Sequence, residues 1–172
     1  SQRAWQQFFA RSRKDQHIEI CRGEDVEASD RDNGLQQVTL KTCALPELNW
    51  DDLDISRTFL GRRFDSPILI TGMTGGVSQG ELINQRLASL ASRFNIPMGV
   101  GSQRLALEDH SFNDIFDIKK NFPDVFLIGN IGMAQILGSN ALELCQKAVE
   151  MISADALAIH LNVLQELIQE EG

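Results

Sequence analysis

Four short apolar segments recur at nearly even intervals through the later part of this chain. They are Ile68–Ile70, Met98–Val100, Val125–Ile128 and Ala156–Ile159, and they begin roughly 30 residues apart, the length of one strand–helix unit. None of them alternates apolar with polar residues, so each is typical of a strand that is buried on both faces. Because helical patterns lie between them, this order predicts an α/β fold with a parallel sheet and right-handed crossover connections.

Each of the three intervening segments carries the signals of a helix. A capping box of Ser78 and Glu81 opens the first helix, which ends before Pro97. Ser111 and Ser139 are the predicted N-terminal caps of the second and third helices. The apolar residues predicted to face the core are Ile83, Leu87, Leu90 and Phe94, then Phe112, Ile115 and Phe116, then Leu142, Cys145, Val149 and Ile152.

The part before the first apolar segment is organised differently, which divides the chain into residues 1–66 and 67–172. Residues 1–34 are rich in charge and lack apolar periodicity, so we expect a charged N-terminal arm there. Short β-like pieces follow at 37–40 and 55–60.

The composition argues against several classes of function. The net charge is −8 and the pI about 4.8, so we expect no nucleic-acid-binding surface, and a few placed cations must hold any anionic ligand. No run of about 18 apolar residues could cross a membrane, and residues 1–10 lack the apolar centre of a signal peptide. The three cysteines are an odd number without metal-binding spacing, which favours reduced thiols in a cytoplasmic protein.

Glycine and polar residues follow the first predicted strand, at the end where ligands bind in parallel α/β folds. The glycines of Thr71–Gly76 would let the backbone approach a flat ligand closely, although a tight turn without a ligand explains them equally well. The segment is not a dinucleotide-binding fingerprint, because the Gly-x-Gly-x-x-Gly spacing is absent.

Similar residues follow the second and third strands. Arg104 could grip a phosphate in a bidentate fork, with Ser102 and Gln103 adding orienting hydrogen bonds. The amide of Asn130 could bond the edge of a heterocycle. An exposed loop arginine and an ordinary turn asparagine are the plainer alternatives.

The fourth strand ends in a polar cluster made of His160, Asn162, Gln165 and Glu166. The carboxylate could hold Mg²⁺ together with waters and substrate phosphates, and the histidine could bind an anion. The alternative is a helix that begins with polar residues, among which Glu is favoured.

A further group of cations lies near the start of the chain, at Arg13, Lys14 and His17. Two adjacent cations and a nearby histidine could close over a diphosphate. Taken alone, solvated charge is the more usual explanation.

These five segments, in this order, resemble the motifs of the type 2 isopentenyl diphosphate isomerase family. The matching features are Arg13-Lys14-x-x-His17, Thr71–Gly76, Gly101–Arg104, Gly129-Asn130 and His160-x-Asn162-x-x-Gln165-Glu166. The resemblance implies a (β/α)₈ TIM barrel that binds FMN, of which this chain holds about the first four βα units. It further implies interconversion of isopentenyl and dimethylallyl diphosphate by a 1,3-proton shift, with Mg²⁺ and with FMN kept reduced by NADPH.

The resemblance also implies roles for individual residues. FMN contacts are implied for Thr71, Gly72, Met73, Thr74, Ser102 and Asn130. Substrate contacts are implied for Arg13, Lys14, His17, Ser102, Gln103, Arg104, Asn162 and Gln165. Glu166 would hold Mg²⁺, and His160 and Gln165 would act at the site of the chemistry.

The chemistry itself favours the flavin as the acid and base. Protonating an unactivated alkene requires a strong, well-placed acid in a dry site. No Cys, Glu or Tyr pair in the five motifs suits that task, and the chain contains no tyrosine. The protein would then supply orientation and electrostatics, with cations neutralising the diphosphate.

The sequence departs from the family in length, since it holds four of the eight strands. We therefore expect a fragment, half of a split or domain-swapped assembly, or a homo-oligomer, with a strand edge and apolar faces exposed and little activity in an isolated monomer. Two alternatives stay open. One is another FMN barrel enzyme, such as a 2-hydroxy-acid oxidase, and the other is a non-catalytic, oligomerising half-barrel.

Overall fold

The computed structural model describes residues 15–16, 18–27, 32–72 and 79–162, and its regular elements are as follows. The strands are β1 (Arg57–Phe59), β2 (Arg62–Phe64), β3 (Met98–Gly99), β4 (Leu127–Gly132) and β5 (Ala156–His160). The α-helices are α1 (Gly80–Arg93), α2 (Arg104–Glu108) and α3 (Ala141–Ile152). Short 3₁₀ helices span Leu35–Gln37, Trp50–Asp52, His110–Phe116 and Met133–Ile136. Residues 15, 16 and 18–23 are also helical.

The three later strands form one parallel sheet in the order β3-β4-β5. Its longest ladder pairs Ile128–Gly132 with Ala156–His160, residue for residue. The first predicted strand is reduced to a single parallel bridge between Ile70 and Met98, in which the Gly99 N–H donates to the Ile70 carbonyl at 2.7 Å. The predicted parallel α/β class is therefore confirmed for this part of the chain.

The third strand lies later than predicted. We expected it at 125–128, with Gly129 and Asn130 in a turn beyond it, but β4 continues to Gly132. Glycine and asparagine are typical turn residues, which explains the error. In β4 the glycines instead leave room for side chains from neighbouring elements.

The buried face of α1 also differs from the predicted stripe. Asn84, Ala88 and Ala91 are buried, whereas the exposed fractions of Leu90 and Phe94 are 45% and 54%. Of the other two predicted residues, Ile83 and Leu87 are half-buried, and Leu87 packs against the core. Small side chains let a helix approach its neighbours closely, so Ala88 and Ala91 form the innermost part of this face. The predicted cap, Ser78, lies outside the described residues.

The second predicted helix is replaced by α2 and the 3₁₀ helix His110–Phe116. The cap is Asp109 rather than Ser111, because the Asp109 side chain accepts a hydrogen bond from the Ser111 backbone N–H at 2.9 Å. An aspartate two residues before a free N–H satisfies that donor as well as a serine would.

The third helix has the predicted position but a different cap and face. Asn140 rather than Ser139 occupies the N-terminal cap of α3, and its side chain makes no capping hydrogen bond. Ala148 and Ile152 are buried, but 73% of Leu142 is exposed. Leu142 lies in the first turn, beyond the part of the helix that packs on the sheet.

The β-like pieces of the N-terminal part are confirmed only in part. Residues 57–59 pair with β2 in an antiparallel hairpin whose two turn residues, Leu60 and Gly61, both have positive φ. Such turns match the twist of the strands they join. Residues 37–40 are not a strand. The hairpin reaches the sheet through Phe64, whose ring packs edge-on against Phe126 at 5.5 Å.

The hydrophobic core lies between the sheet and the elements that connect its strands. Its fully buried members include Met98, Val100 and Leu127 from the sheet region and Phe116 and Ile118 from the connection before β4. Within the described ranges, no helix has both the length and the apolar character that crossing a membrane requires.

A charged anchor holds the beginning of β4 beside β5. The Asp155 carboxylate accepts hydrogen bonds from the Leu127 backbone N–H and from the Lys119 ammonium group, each at 2.8 Å. Its own backbone N–H donates to the Leu127 carbonyl at 2.8 Å. One side chain therefore satisfies a half-buried backbone donor and pairs with a cation.

We expect Asp155→Ala to lower the free energy of unfolding by about 1–3 kcal/mol, because the Leu127 N–H loses its acceptor. Urea denaturation measures this change. Asp124→Ala removes an exposed carboxylate from the connection that leads into β4 and serves as the control, with a much smaller effect. Equal effects of the two substitutions would contradict the anchoring role.

The Asp109 cap predicts a pH dependence of stability. Hydrogen bonds from the Ser111 backbone N–H, and then from its hydroxyl, lower the pKa of Asp109, and His110 lowers it further. A lowered pKa in the fold means that the carboxylate stabilises above the ordinary aspartate pKa and loses this effect as pH falls through the lowered value. Asp109→Asn keeps a capping oxygen but cannot titrate, so its unfolding free energy should change less on acidification. An identical pH profile would contradict the cap.

Candidate functional site

The carboxyl ends of the parallel strands meet at one edge of the sheet, and several of the predicted site residues lie there. Of the predicted site residues, those that the structure describes are Thr71, Gly72, Ser102, Gln103, Arg104, Asn130, His160 and Asn162. Three contacts described below lie across this edge: Gly72 with Val100, Gln103 with Asn130, and Asn130 with His160. The other predicted residues, which are Arg13, Lys14, His17, Met73, Thr74, Gln165 and Glu166, lie outside the described residues.

The first contact is a close approach of two backbones. Gly72 lies against Val100, and a Cβ on Gly72 would overlap the Val100 carbonyl oxygen. A side chain cannot be accommodated there without moving a backbone, so this position requires glycine. Thr71, immediately before it, is exposed at the edge of the sheet.

The second contact joins Gln103 to Asn130. Gln103 is fully buried, with 0% of its surface exposed. Its backbone N–H donates to the Asn130 carbonyl at 2.9 Å, and its side-chain Oε1 accepts from the Asn130 N–H at 2.8 Å. Its Nε2 donates to the Ala148 carbonyl in α3 at 2.8 Å. Both ends of the amide are committed to backbone groups, which favours a positioning role over the predicted substrate contact.

The third contact joins the two neighbouring strands β4 and β5 through their side chains. His160 Nδ1 lies 2.8 Å from Asn130 Oδ1, and both side chains are half-buried. In the parallel register Asn130 pairs with Ala158 and Gly132 with His160, so the two side chains stand on the same face of the sheet.

Ser102 and Arg104 flank Gln103 at the start of α2. Ser102 Oγ accepts from the Arg104 backbone N–H at a long 3.5 Å, and both residues are half-buried. Among the residues that the structure describes, no ion pair involves the Arg104 guanidinium. The cationic side chain of Arg104 therefore lies at the start of α2, next in sequence to the residue that bonds Asn130. Asn162 is exposed, two residues after β5 ends.

No metal site is formed within the described ranges, where no cluster of three or more His, Cys, Asp or Glu side chains occurs. The predicted Mg²⁺ ligand, Glu166, is not among these residues. All three cysteines are free thiols; Cys21 and Cys43 are exposed, and Cys145 is half-buried rather than fully in the core.

Sequence reasoning missed the role of two glycines in β4. A Cβ on Gly129 would lie 2.8 Å from Gln103 Oε1, and a Cβ on Gly132 would lie 2.8 Å from His160 Nε2 and overlap Gln135 Oε1. Each glycine therefore makes space for a side chain that bonds Asn130. The signal was present, since two glycines in one apolar strand indicate close approach by a neighbour.

Over nearly all of its length the chain is homologous to proteins named isopentenyl-diphosphate delta-isomerase. It is 46% identical to the one from Nostoc sp. over 161 residues, which is 94% of this chain and 46% of that protein. For the relatives from Methanosarcina mazei and Pyrococcus abyssi, the identities are 47% and 46%, and each match covers 93% of this chain.

The chain spans less than half the length of these relatives, covering 44% of the Methanosarcina protein and 45% of the Pyrococcus protein. No family model matches the sequence. The names of these relatives are those of an isopentenyl-diphosphate isomerase, without a type, and not of a 2-hydroxy-acid oxidase.

We expect Gly72→Ala to separate the Thr71–Gly72 segment from Val100, because the added methyl group overlaps a carbonyl oxygen. The measurement is amide hydrogen exchange at Gly99, whose N–H bonds Ile70; its protection should fall and the urea midpoint should decrease. Gly23→Ala is the matched control, since nothing lies within 4 Å of a Cβ there. Unchanged protection at Gly99 would contradict the close approach.

Proposed function

We propose that this chain forms the first half of the barrel of an FMN-dependent, type 2 isopentenyl-diphosphate delta-isomerase. The reaction would interconvert isopentenyl and dimethylallyl diphosphate by a 1,3-proton shift, as a step of isoprenoid biosynthesis. The observation that carries the proposal is the set of contacts that join Gly72 with Val100, Gln103 with Asn130, and Asn130 with His160, because they lie at one edge of a parallel sheet and involve separate sequence motifs. The names of the homologues support the same activity.

The residues at this edge fit a flat, polar heterocycle. Gly72 carries no side chain and holds the backbone of its strand end close to Val100, which leaves Thr71 and Ser102 as small polar groups. The Asn130 amide stands between them and β5. Thr71, Gly72, Ser102 and Asn130 would therefore hold FMN, together with Met73 and Thr74 from the same motif. Reduced FMN, when bound, would supply the acid and base for the proton shift.

The cations of this chain would bind the diphosphate. Arg104 is half-buried and, within the described residues, is not paired with a carboxylate, so it can form a bidentate contact with phosphate oxygens. Arg13, Lys14 and His17 would close over the same group from the N-terminal arm. In a protein with a net charge of −8, such placed cations are what make an anion site possible.

The remaining motif residues would act near the double bond and the metal. His160 and Gln165 would orient the reacting part of the substrate, Asn162 would line the same site, and Glu166 would hold Mg²⁺ against the diphosphate. A carboxylate with waters and phosphate oxygens is the ligand set that Mg²⁺ prefers. NADPH would keep the flavin reduced, and we expect a homo-oligomer in the cytoplasm.

A chimera tests this proposal directly. In it, the chain is joined to the part of the Nostoc relative that lies beyond the matched segment, and the product is assayed with FMN, dithionite, Mg²⁺ and isopentenyl diphosphate. We expect FMN binding and formation of dimethylallyl diphosphate by the chimera, and weak FMN binding and little turnover by the chain alone.

Other outcomes of the same experiment would overturn it. Robust turnover by the monomeric chain would contradict its assignment as one half of a barrel that needs the other half for activity. Oxidation of a 2-hydroxy acid by the chimera, with the flavin changing redox state in each cycle, would indicate an oxidase. A folded chimera that binds no FMN would favour the non-catalytic, oligomerising half-barrel.

In the same chimera, we expect Glu166→Gln to weaken Mg²⁺-dependent activity by about 10- to 100-fold, because a metal ligand loses its charge, and to change FMN affinity little. Titration with Mg²⁺ and quenching of flavin fluorescence separate the two effects. Glu143→Gln, which removes an exposed carboxylate on α3, is the control. Equal losses of metal dependence and FMN affinity would remove Glu166 from the metal role.

A further inference from the structure

Gln103 extends the hydrogen-bond ladder of β4 beyond the point where β3 ends. The Val100 N–H donates to the Ile128 carbonyl at 3.0 Å, which is the last regular bond on that side. At the next position along β4, Gln103 supplies both bonds that a neighbouring strand would supply, one from its backbone N–H and one to its side-chain Oε1. The backbone N–H and carbonyl of Asn130 on this side are thereby both hydrogen-bonded, as they would be beside a further strand.

The same side chain ties this position to α3. Its Nε2 donates to the Ala148 carbonyl, and Gly129 provides the space for the amide against β4. A fully buried amide with all these partners is costly to disturb, since removing it leaves the Asn130 N–H without an acceptor.

His160 holds the other end of the same residue. Its ring lies over Gly132, where a Cβ would be 2.8 Å from Nε2 and 3.0 Å from Cε1. This position brings Nδ1 to within 2.8 Å of Asn130 Oδ1. An amide oxygen only accepts hydrogen bonds, so this contact is a hydrogen bond when Nδ1 carries the proton, which corresponds to the Nδ1–H tautomer of the ring.

These contacts leave one polar group of Asn130 for a ligand. Its backbone N–H and carbonyl bond Gln103, and its Oδ1 bonds His160. No hydrogen bond from its Nδ2 to another described residue is found, and the side chain is half-buried at the sheet edge.

We propose that Gln103 and His160 are positioning residues that hold Asn130 with its Nδ2 amide group directed at the ligand. The ligand atom opposite Asn130 is therefore a hydrogen-bond acceptor, such as a carbonyl oxygen or an unprotonated ring nitrogen of a heterocycle. This rests on the proposed function only where the heterocycle is taken to be flavin.

The tautomer of His160 tests the arrangement without any ligand. In ¹⁵N NMR spectra of the purified chain, recorded above the pH range in which imidazole titrates, we expect a protonated Nδ1 and an unprotonated Nε2. The opposite tautomer would mean that Asn130 donates to His160 and presents its oxygen to the ligand, which would overturn the proposal.

Variants of Gln103 test its positioning role. Gln103→Met has a similar shape but no polar atoms, so hydrogen exchange at the Asn130 N–H should become faster. Gln103→Glu should restore most of the protection, because burial raises the pKa of the carboxyl and the neutral group can both accept from Asn130 and donate to Ala148. Gln146→Glu on the exposed side of α3 is the control. Equal exchange in the Met and Glu variants would contradict the role.

Ligand affinity provides the functional readout, in the chimera described above. We expect FMN to bind about tenfold more weakly to Gln103→Met and to His160→Ala, with a changed flavin absorption spectrum, and nearly normally to Gln103→Glu. His110→Ala, an exposed histidine, is the control. If the parent chimera binds no FMN, the proposed function is wrong, while the tautomer and the exchange rates still decide this inference. Normal FMN affinity and spectrum in His160→Ala would overturn it.

Discussion

The register between β4 and β5 is the constraint on which the rest of the site depends. It sets Asn130 beside Ala158 and Gly132 beside His160, and so places the asparagine and histidine side chains on one face. A shift of one residue would turn either side chain to the opposite face and abolish their 2.8 Å contact. The Asp155 anchor helps to hold this register, because it bonds the first residue of β4 from the segment that leads into β5.

Glycines in β4 illustrate how stability and site geometry are balanced. A glycine inside a strand weakens it, because it has no side chain to pack and loses more conformational freedom on folding. Here Gly129 and Gly132 each admit a polar side chain that bonds Asn130. The hydrogen bonds gained in this way favour the fold where the glycines alone would weaken the strand, and they fix the backbone and the side-chain oxygen of Asn130.

Much of the fold could be predicted from local patterns. The second and fourth apolar segments became β3 and β5, and the helices α1 and α3 lie where their periodicity indicated them. The errors in the end of β4 and in the buried face of α1 share one cause. The pattern of neighbouring residues in the sequence does not indicate which distant residues a side chain will contact. Leu90 and Phe94 fitted a helical stripe, yet they are largely exposed, and the buried positions of α1 are Asn84, Ala88 and Ala91.

The sequence by itself determined the alternation of apolar strand segments and helical segments in the later part of the chain and placed polar motifs near the strand ends, but it set Asn130 beyond β4 rather than within it. Burial of apolar runs and the chemistry of helix ends are properties of neighbouring residues, so they can be read along the chain. Only the tertiary structure decided that Gln103 is a buried support and that Asn130 is held from both sides. The two hydrogen-bond partners of the Gln103 side chain, Asn130 and Ala148, lie 27 and 45 residues away in the sequence. Whether an amide meets a ligand or a backbone carbonyl depends on which distant segment the fold brings against it.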